Sequence, residues 1–248
     1  MRGVDDLTIE ELRTGRALWW DDAFTQMLVG ALGDAHRIVD IGCGLGAAAA
    51  ALQPTLPGLR YVGVDLDLKR LSAAAPGNYV AARAEALPFP DGAADAALFI
   101  AMLMHVDDPV QVLREARRVA PKVVAVEPDH LAQQFYFGGR MPGVTAASCA
   151  LMSRIRRGDM AIGPRLPDLC LDAGFSTVSM HAYSVSVLLR KTAGDFAEWL
   201  RPMLRAVVDG SDQQADCDAA IDAWRAKVPA NPERHCGVVV PMFVTCAS

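Results

Sequence analysis

The chain has 248 residues, a formal net charge of −5, 52% apolar and 21% charged residues, the proportions of an ordinary globular protein. That length allows one large domain or two small ones, and the net acidity argues against a broad nucleic-acid or anionic-membrane surface. Six cysteines (43, 149, 170, 217, 236 and 246) are scattered without a C-x-x-C or a Cys/His cluster. Reduced, mostly buried thiols are expected, and neither a metal site nor a disulfide framework. The opening "MRGVDDLTIEELRTGR" has no apolar leader core, and no apolar run reaches membrane-spanning length. A cytoplasmic protein is the expectation.

In chain order, residues 1–36 read as helices ahead of a first strand and include the aromatic "WWDDAF" (19–24). Strand-type runs follow at 37–42 (RIVDIG), 60–65 (RYVGVD), 79–83 (YVAAR), 96–100 (AALFI) and 122–128 (KVVAVEP). Several are apolar on both faces, as strands of a parallel sheet covered by helices must be. Helical segments separate them at 47–53, 67–75 and 108–119, so the spacing predicts a doubly wound α/β domain. Residues 129–162 interrupt this rhythm with "FYFGGRMPG" and a helix carrying "MSRIRR". A helix over 165–175 ends at Gly174, and 176–189 alternates like a half-buried strand. Helices are expected over 194–210 and from Ser211 to about Lys227, the second opened by a Ser211/Gln214 capping box. The final run, 236–248, reads as a strand broken by Pro241, which favours an edge or a bulge.

The stretch "VDIGCGLGAAAA" (39–50) fits two patterns at once. Gly42, Gly44 and Ala47 match G-x-G-x-x-G/A, and Asp40, Gly42, Gly44 and Gly46 match D-x-G-x-G-x-G. Alternate glycines after a parallel strand let the backbone approach a ligand and turn into a helix, whose N-terminus suits a pyrophosphate. A carboxylate at Asp40 opposes bound phosphate and suits a cationic amino group. Asp65, at the end of the second strand, is placed to accept both hydroxyls of a ribose.

Together these blocks resemble the class I S-adenosylmethionine-dependent methyltransferases. The resemblance spans about 37–128, with a weaker continuation to the C-terminus. It rests on "VDIGCGLG", on "VGVDLD", on "AEALPFPDGAADAALFIAMLMHVDDP" (84–109), on "REARRVAPKVVAVEPD" and on "IGPRLPDLCLDAGFSTV" (162–178). It implies a Rossmann-like α/β fold: a seven-stranded, mostly parallel sheet with an antiparallel C-terminal strand and helices on both faces. One domain over 1–248 is expected, with a helical lid (1–36), a cofactor core (37–128), an acceptor-side insert (129–162) and a C-terminal part carrying a helical insert at 194–228.

For site residues the resemblance implies Asp40, Gly42 and Gly44 at the methionine end of S-adenosylmethionine, Asp65 on the ribose and Leu66 near the adenine. Ala84 and Glu85 would border the adenine edge, and Ala101 would approach the methionine portion through its backbone. One departure stands out. Many relatives carry Gly-Asp before Ala-Glu, and here the pair is Ala82-Arg83; an arginine cannot accept a hydrogen bond, which leaves Glu85 as the substitute acceptor.

Transfer of an activated methyl group needs alignment and exclusion of water, and a base only if the acceptor must lose a proton. Such a base belongs beyond the C-terminal ends of strands four and five. His105 in "MLMHVDD" and Glu127 and His130 in "VEPDH" are the catalytic candidates, with Asp129, Tyr136, His181 and Tyr183 behind them. Each also has a plain structural reading as a cap, a loop anchor or packing. Trp19 and Trp20 suit a lid or simple docking, and "RIRR" (154–157) suits an acidic acceptor or a solvated helix face. The aromatic, charge-poor composition of 1–36 and 129–162 favours a small, partly apolar organic acceptor, as in the quinone and secondary-metabolite methyltransferases, over nucleic acid or protein. A same-fold enzyme using the sulfonium in cyclisation or decarboxylation, a non-catalytic binding protein and an NAD-dependent oxidoreductase remain as rivals.

Overall fold

Five β-rich runs assemble exactly where helices can cover them; in a computed structural model, which describes residues 8–17, 19–137, 158–189 and 236–248 together with scattered single positions between them, they form β1 (Arg37–Ile41), β2 (Arg60–Asp65), β3 (Asn78–Ala81), β4 (Ala96–Ile100) and β5 (Lys122–Pro128). They pair in parallel in the order β3-β2-β1-β4-β5. Every residue of β4 is buried, as are Val123 to Val126 of β5. Burying each such large side chain contributes roughly 1.5–3 kcal/mol. The strand order reverses between β1 and β4, so the C-terminal ends of those two strands flank the crevice where open α/β sheets bind ligands.

The helices start on the caps their sequences provide. Asp21 accepts from Phe24 N at 2.8 Å and opens α2 (Asp22–Leu32), which follows α1 (Ile9–Ala17) and buries Phe24, Leu28 and Leu32. After α3 (Ala47–Thr55), Asp67 caps the short α4 (Leu68–Ser72). Asp108 caps α5 (Pro109–Val119), whose proline sits in the first turn and whose Val112, Leu113, Ala116 and Val119 form one buried stripe. Helix α6 (Leu166–Asp172) stops before Gly174, which has φ of 95°.

Two compact units can be distinguished. One comprises Trp20–Pro128, Ile162–Tyr183 and Met242–Ser248; the other comprises Met1–Trp19, Asp129–Ala161 and Ser184–Pro241. In the first, β5 pairs antiparallel with the Met242–Ala247 part of β8 (Cys236–Ala247). In the second, β6 (Gln134–Phe137) pairs antiparallel with Cys236 to Val239 of the same strand. β7 (Val178–Leu189) also pairs with β8.

One expectation is corrected: among the described residues the sheet has eight strands rather than seven, because "QFYF" forms β6. Pro241 falls between the two stretches of β8 that pair with β5 and β6, a break of the bulge kind, where its carbonyl accepts from Asp129 N at 2.9 Å. The helices expected over 194–210 and 211–227 and the "RIRR" run lie outside the described residues, apart from helical positions 215, 218, 219 and 222. Among the described residues no helix is long and apolar enough to cross a membrane.

Candidate functional site

The glycine loop leaves β1 by crossing the end of β2. The N–H groups of Gly42 and Cys43 both donate to Val64 O, at 2.7 and 3.0 Å. Gly42 and Gly44 have φ of 75° and 54°, a region costly for other residues. They meet different surroundings. A Cβ on Gly42 would collide with the Met102 side chain, whereas one on Gly44 would meet nothing within 4 Å. The loop is therefore packed shut at Gly42 and open to a ligand at Gly44.

Asp65 ties that open glycine down. Its Oδ2 accepts from Gly44 N at 2.8 Å and its Oδ1 from Asp67 N at 2.9 Å. A carboxylate has about four acceptor positions, so capacity remains for two hydroxyls. Leu66, beside it, is 64% exposed. Asp40 lies beneath the loop, buried, and accepts a hydrogen bond from the Tyr61 hydroxyl. Burial, and then the neighbouring Asp40 charge, push the Tyr61 phenol well above its ordinary value. Burial likewise raises the Cys43 thiol, with Asp40 and Asp65 adding to it. Tyr79 stacks edge-on against Tyr61 at 6.5 Å and donates to Ala75 O at 2.7 Å. Its ring fills the space beside Gly46, Gly63 and Gly77, and burial pushes its hydroxyl up to about 12.

At the end of β4, Ala101 has φ of 52°, the one positive value at a non-glycine position among the described residues. Strain of this kind costs of order 1–3 kcal/mol and persists where the surroundings impose it. Here they do. Glu127 is fully buried, and its carboxylate accepts from Met102 N and Leu103 N at 2.8 Å each and from Met104 N at 3.3 Å. It holds the first turn of the 3-10 helix Leu103–His105, and Met102 in turn leans on Gly42. His105, on the same turn, is exposed, with its N–H on Met102 O at 2.9 Å. Beyond β3, Arg83 pairs with Glu85 at 3.2 Å, and Ala84 lies between them. Arg83 thus occupies an oxygen of the residue left as adenine acceptor.

His130 belongs to the other unit. Its Nδ1 lies 3.4 Å from Gln133 Oε1, and Gln133 Nε2 donates to the buried Ser148 Oγ at 2.7 Å. Burial lowers its pKa, with Gln133 and the Asp129 charge opposing. Tyr136 lies on β6 opposite Gly237. His181 is exposed on β7, and Tyr183 packs against Phe24 at 6.0 Å. Trp19 lies under the Arg16 guanidinium at 4.6 Å, while Trp20 donates to Thr25 Oγ1 at 3.0 Å. Asp40, Gly42, Gly44, Asp65, Ala101 and Glu127 thus gather at the C-terminal ends of β1, β2, β4 and β5. Sequence reading passed over Tyr61 and Met102; the only signal for Tyr61 was its place two residues before Gly63 on the strand beside Asp40.

A parallel sheet in this order, with a glycine loop after β1 and an acid after β2, has the Rossmann-like methyltransferase fold. Residues 39–122 match the family model described as a methyltransferase domain. An uncharacterized methyltransferase of Mycobacterium sp. (strain KMS) is 36% identical over 120 residues, which are 44% of this chain and 44% of that protein. The chain thus spans less than half the length of the curated relatives it matches. Among solved structures, a SAM-dependent methyltransferase from Thermotoga maritima aligns with a TM-score of 0.59 at 16% identity, over 97% of this chain and 95% of that one. The [4+2]-cyclase SpnF aligns with a TM-score of 0.55 at 19% identity, over 92% and 81%.

Proposed function

We propose that the protein transfers the methyl group of S-adenosylmethionine to a small, partly apolar organic acceptor by in-line displacement. The observation that carries this reading is the cradle of Gly44, Asp65 and Asp40: open backbone, spare carboxylate acceptors and a second carboxylate below. That donor set fits a ribose joined to an amino-acid cation and opposes a pyrophosphate. Asp65 would hold the ribose, Leu66 would cover the adenine, and Asp40 with the loop backbone would take the amino-acid end. Bound there, the sulfonium supplies an already activated methyl group.

The chain's own task is then alignment. Glu127 fixes the turn after β4, and the turn fixes the Ala101 backbone and the Met102 wall. His105, exposed on that turn, is the group placed to take an acceptor proton; Glu127, enclosed by three N–H donors, serves as an anchor. The aromatic, charge-poor composition of 1–36 and 129–162 supports an apolar acceptor. SpnF, on the same fold, is a cyclase, so the product decides between chemistries. Incubation with S-adenosylmethionine and candidate phenols, amines and quinols should release S-adenosylhomocysteine and add one methyl mass to the acceptor. Turnover of an acceptor without that mass gain would overturn methyl transfer.

A further inference from the structure

Asp40 and Tyr61 sit diagonally across two parallel strands. The register pairs Ile38 with Tyr61 and Asp40 with Gly63, and alternation puts Tyr61, Gly63 and Asp65 on one face of β2. Gly63 is the residue that makes the diagonal passable. A Cβ there would come within 2.7 Å of both Cys43 Sγ and Tyr79 Cδ1, so the position beside Asp40 carries no side chain. The Tyr61 phenol reaches through to the carboxylate. Both groups are almost completely enclosed, at 2% and 3% exposure. A buried carboxylate without a donor is costly, and a hydrogen bond to an ionised acceptor is about twice as strong as a neutral one.

We infer that Tyr61 is a positioning residue for the cofactor: by pinning one oxygen of Asp40, it fixes the orientation in which that carboxylate meets the amino group of the methionine moiety. The inference rests on the reading of Asp40 given above. It separates two roles on one strand. Asp65, at the end of β2, serves the nucleoside, and Tyr61, at its start, serves the amino acid through its neighbour.

The separation is testable because 5′-methylthioadenosine keeps the adenosine and the sulfur and lacks the amino-acid portion. Calorimetry on the full chain compares S-adenosylhomocysteine with 5′-methylthioadenosine for the wild type, Tyr61→Phe, Asp40→Asn and the double variant. Tyr61→Phe should weaken S-adenosylhomocysteine on the order of tenfold and leave 5′-methylthioadenosine unchanged. The double variant should be no worse than Asp40→Asn alone. Equal loss of both ligands, or no loss, in a Tyr61→Phe protein beside a discriminating Asp40→Asn would overturn the role of Tyr61 and leave that of Asp40 standing. If Tyr61→Phe fails to fold, the double variant decides: retained 5′-methylthioadenosine binding with the affinity pattern of Asp40→Asn supports the inference, and loss of both ligands refutes it. Should Asp40→Asn itself bind the two ligands in the wild-type ratio, the amino-group reading of Asp40 falls and the inference falls with it.

Discussion

Replacing Glu127 separates an anchor from a base. Its carboxylate is fully buried and accepts three backbone N–H groups, two of them from the buried residues Leu103 and Met104. In Glu127→Ala those donors lose their acceptor, at about 1–3 kcal/mol for each buried group, and a cavity adds to the loss. A destabilisation of about 4 kcal/mol is expected, read as a shift of the urea midpoint at constant slope. Glu127→Gln keeps one acceptor oxygen and turns the other into a donor facing an N–H, which should cost about 1–2 kcal/mol. If Glu127 only anchors, kcat in the glutamine variant falls no more than about tenfold, through a displaced turn. If it were the base, kcat would drop about 10²–10⁴-fold for the same loss of stability. A Glu127→Ala protein within about 1 kcal/mol of wild type would refute the anchor reasoning outright.

The two loop glycines should respond differently to alanine. Gly42→Ala meets both left-handed strain and Met102 and should lose about 2–4 kcal/mol in urea unfolding, part of it restored by Met102→Ala. Gly44→Ala has open space and pays only the strain, about 1 kcal/mol, so calorimetry should find its main effect in S-adenosylhomocysteine affinity. Asp65→Ala removes the tie to Gly44 as well as the proposed ribose acceptor and should weaken that ligand on the order of a hundredfold. The half-buried His130, faced by Asp129 and with its Nδ1 3.4 Å from Gln133 Oε1, has a folded-state pKa below its ordinary 6.5. The unfolded chain therefore binds the proton first: stability is full above 6.5, falls as the pH drops from there toward the folded-state value, and levels off below it. Urea midpoints across that range should show this slope in the wild type and lose it in His130→Asn.

The parallel core was legible because its signals are local. Each strand's apolar run, Asp108 with Pro109 at a helix start, and the three alternate glycines need no partner to be recognised. What escaped depends on pairing across the chain. The segment "QFYF" falls in the stretch that interrupts the strand–helix rhythm, and its partner, Cys236 to Val239, lies about a hundred residues on. Pro241 left edge and bulge open, and only the two partners of its strand choose between them. At the site, a carboxylate ending a strand reads equally as base or anchor; the three amides around Glu127 are set by the turn after β4, which no motif announces. Arg83 was visible as a departure, but its partner, Glu85, emerged from the structure.

One aromatic ring constrains the order in which this region can change. Tyr79 stands against Gly46, Gly63 and Gly77, on three separate stretches of chain. At Gly77 the three atoms nearest an added methyl group all belong to the Tyr79 side chain, at 3.0 to 3.2 Å, and the backbone has no positive φ that would call for glycine. At Gly63, Cys43 shares the obstruction, and at Gly46 a φ of 70° forbids relief by space alone. A smaller residue at 79 would thus relieve the nearest contacts at 77, would leave Cys43 Sγ against 63, and would not relieve the left-handed backbone at 46. A lineage that lost the tyrosine would therefore be expected to keep the loop glycine at 46 while the constraints at 77 and then 63 relax.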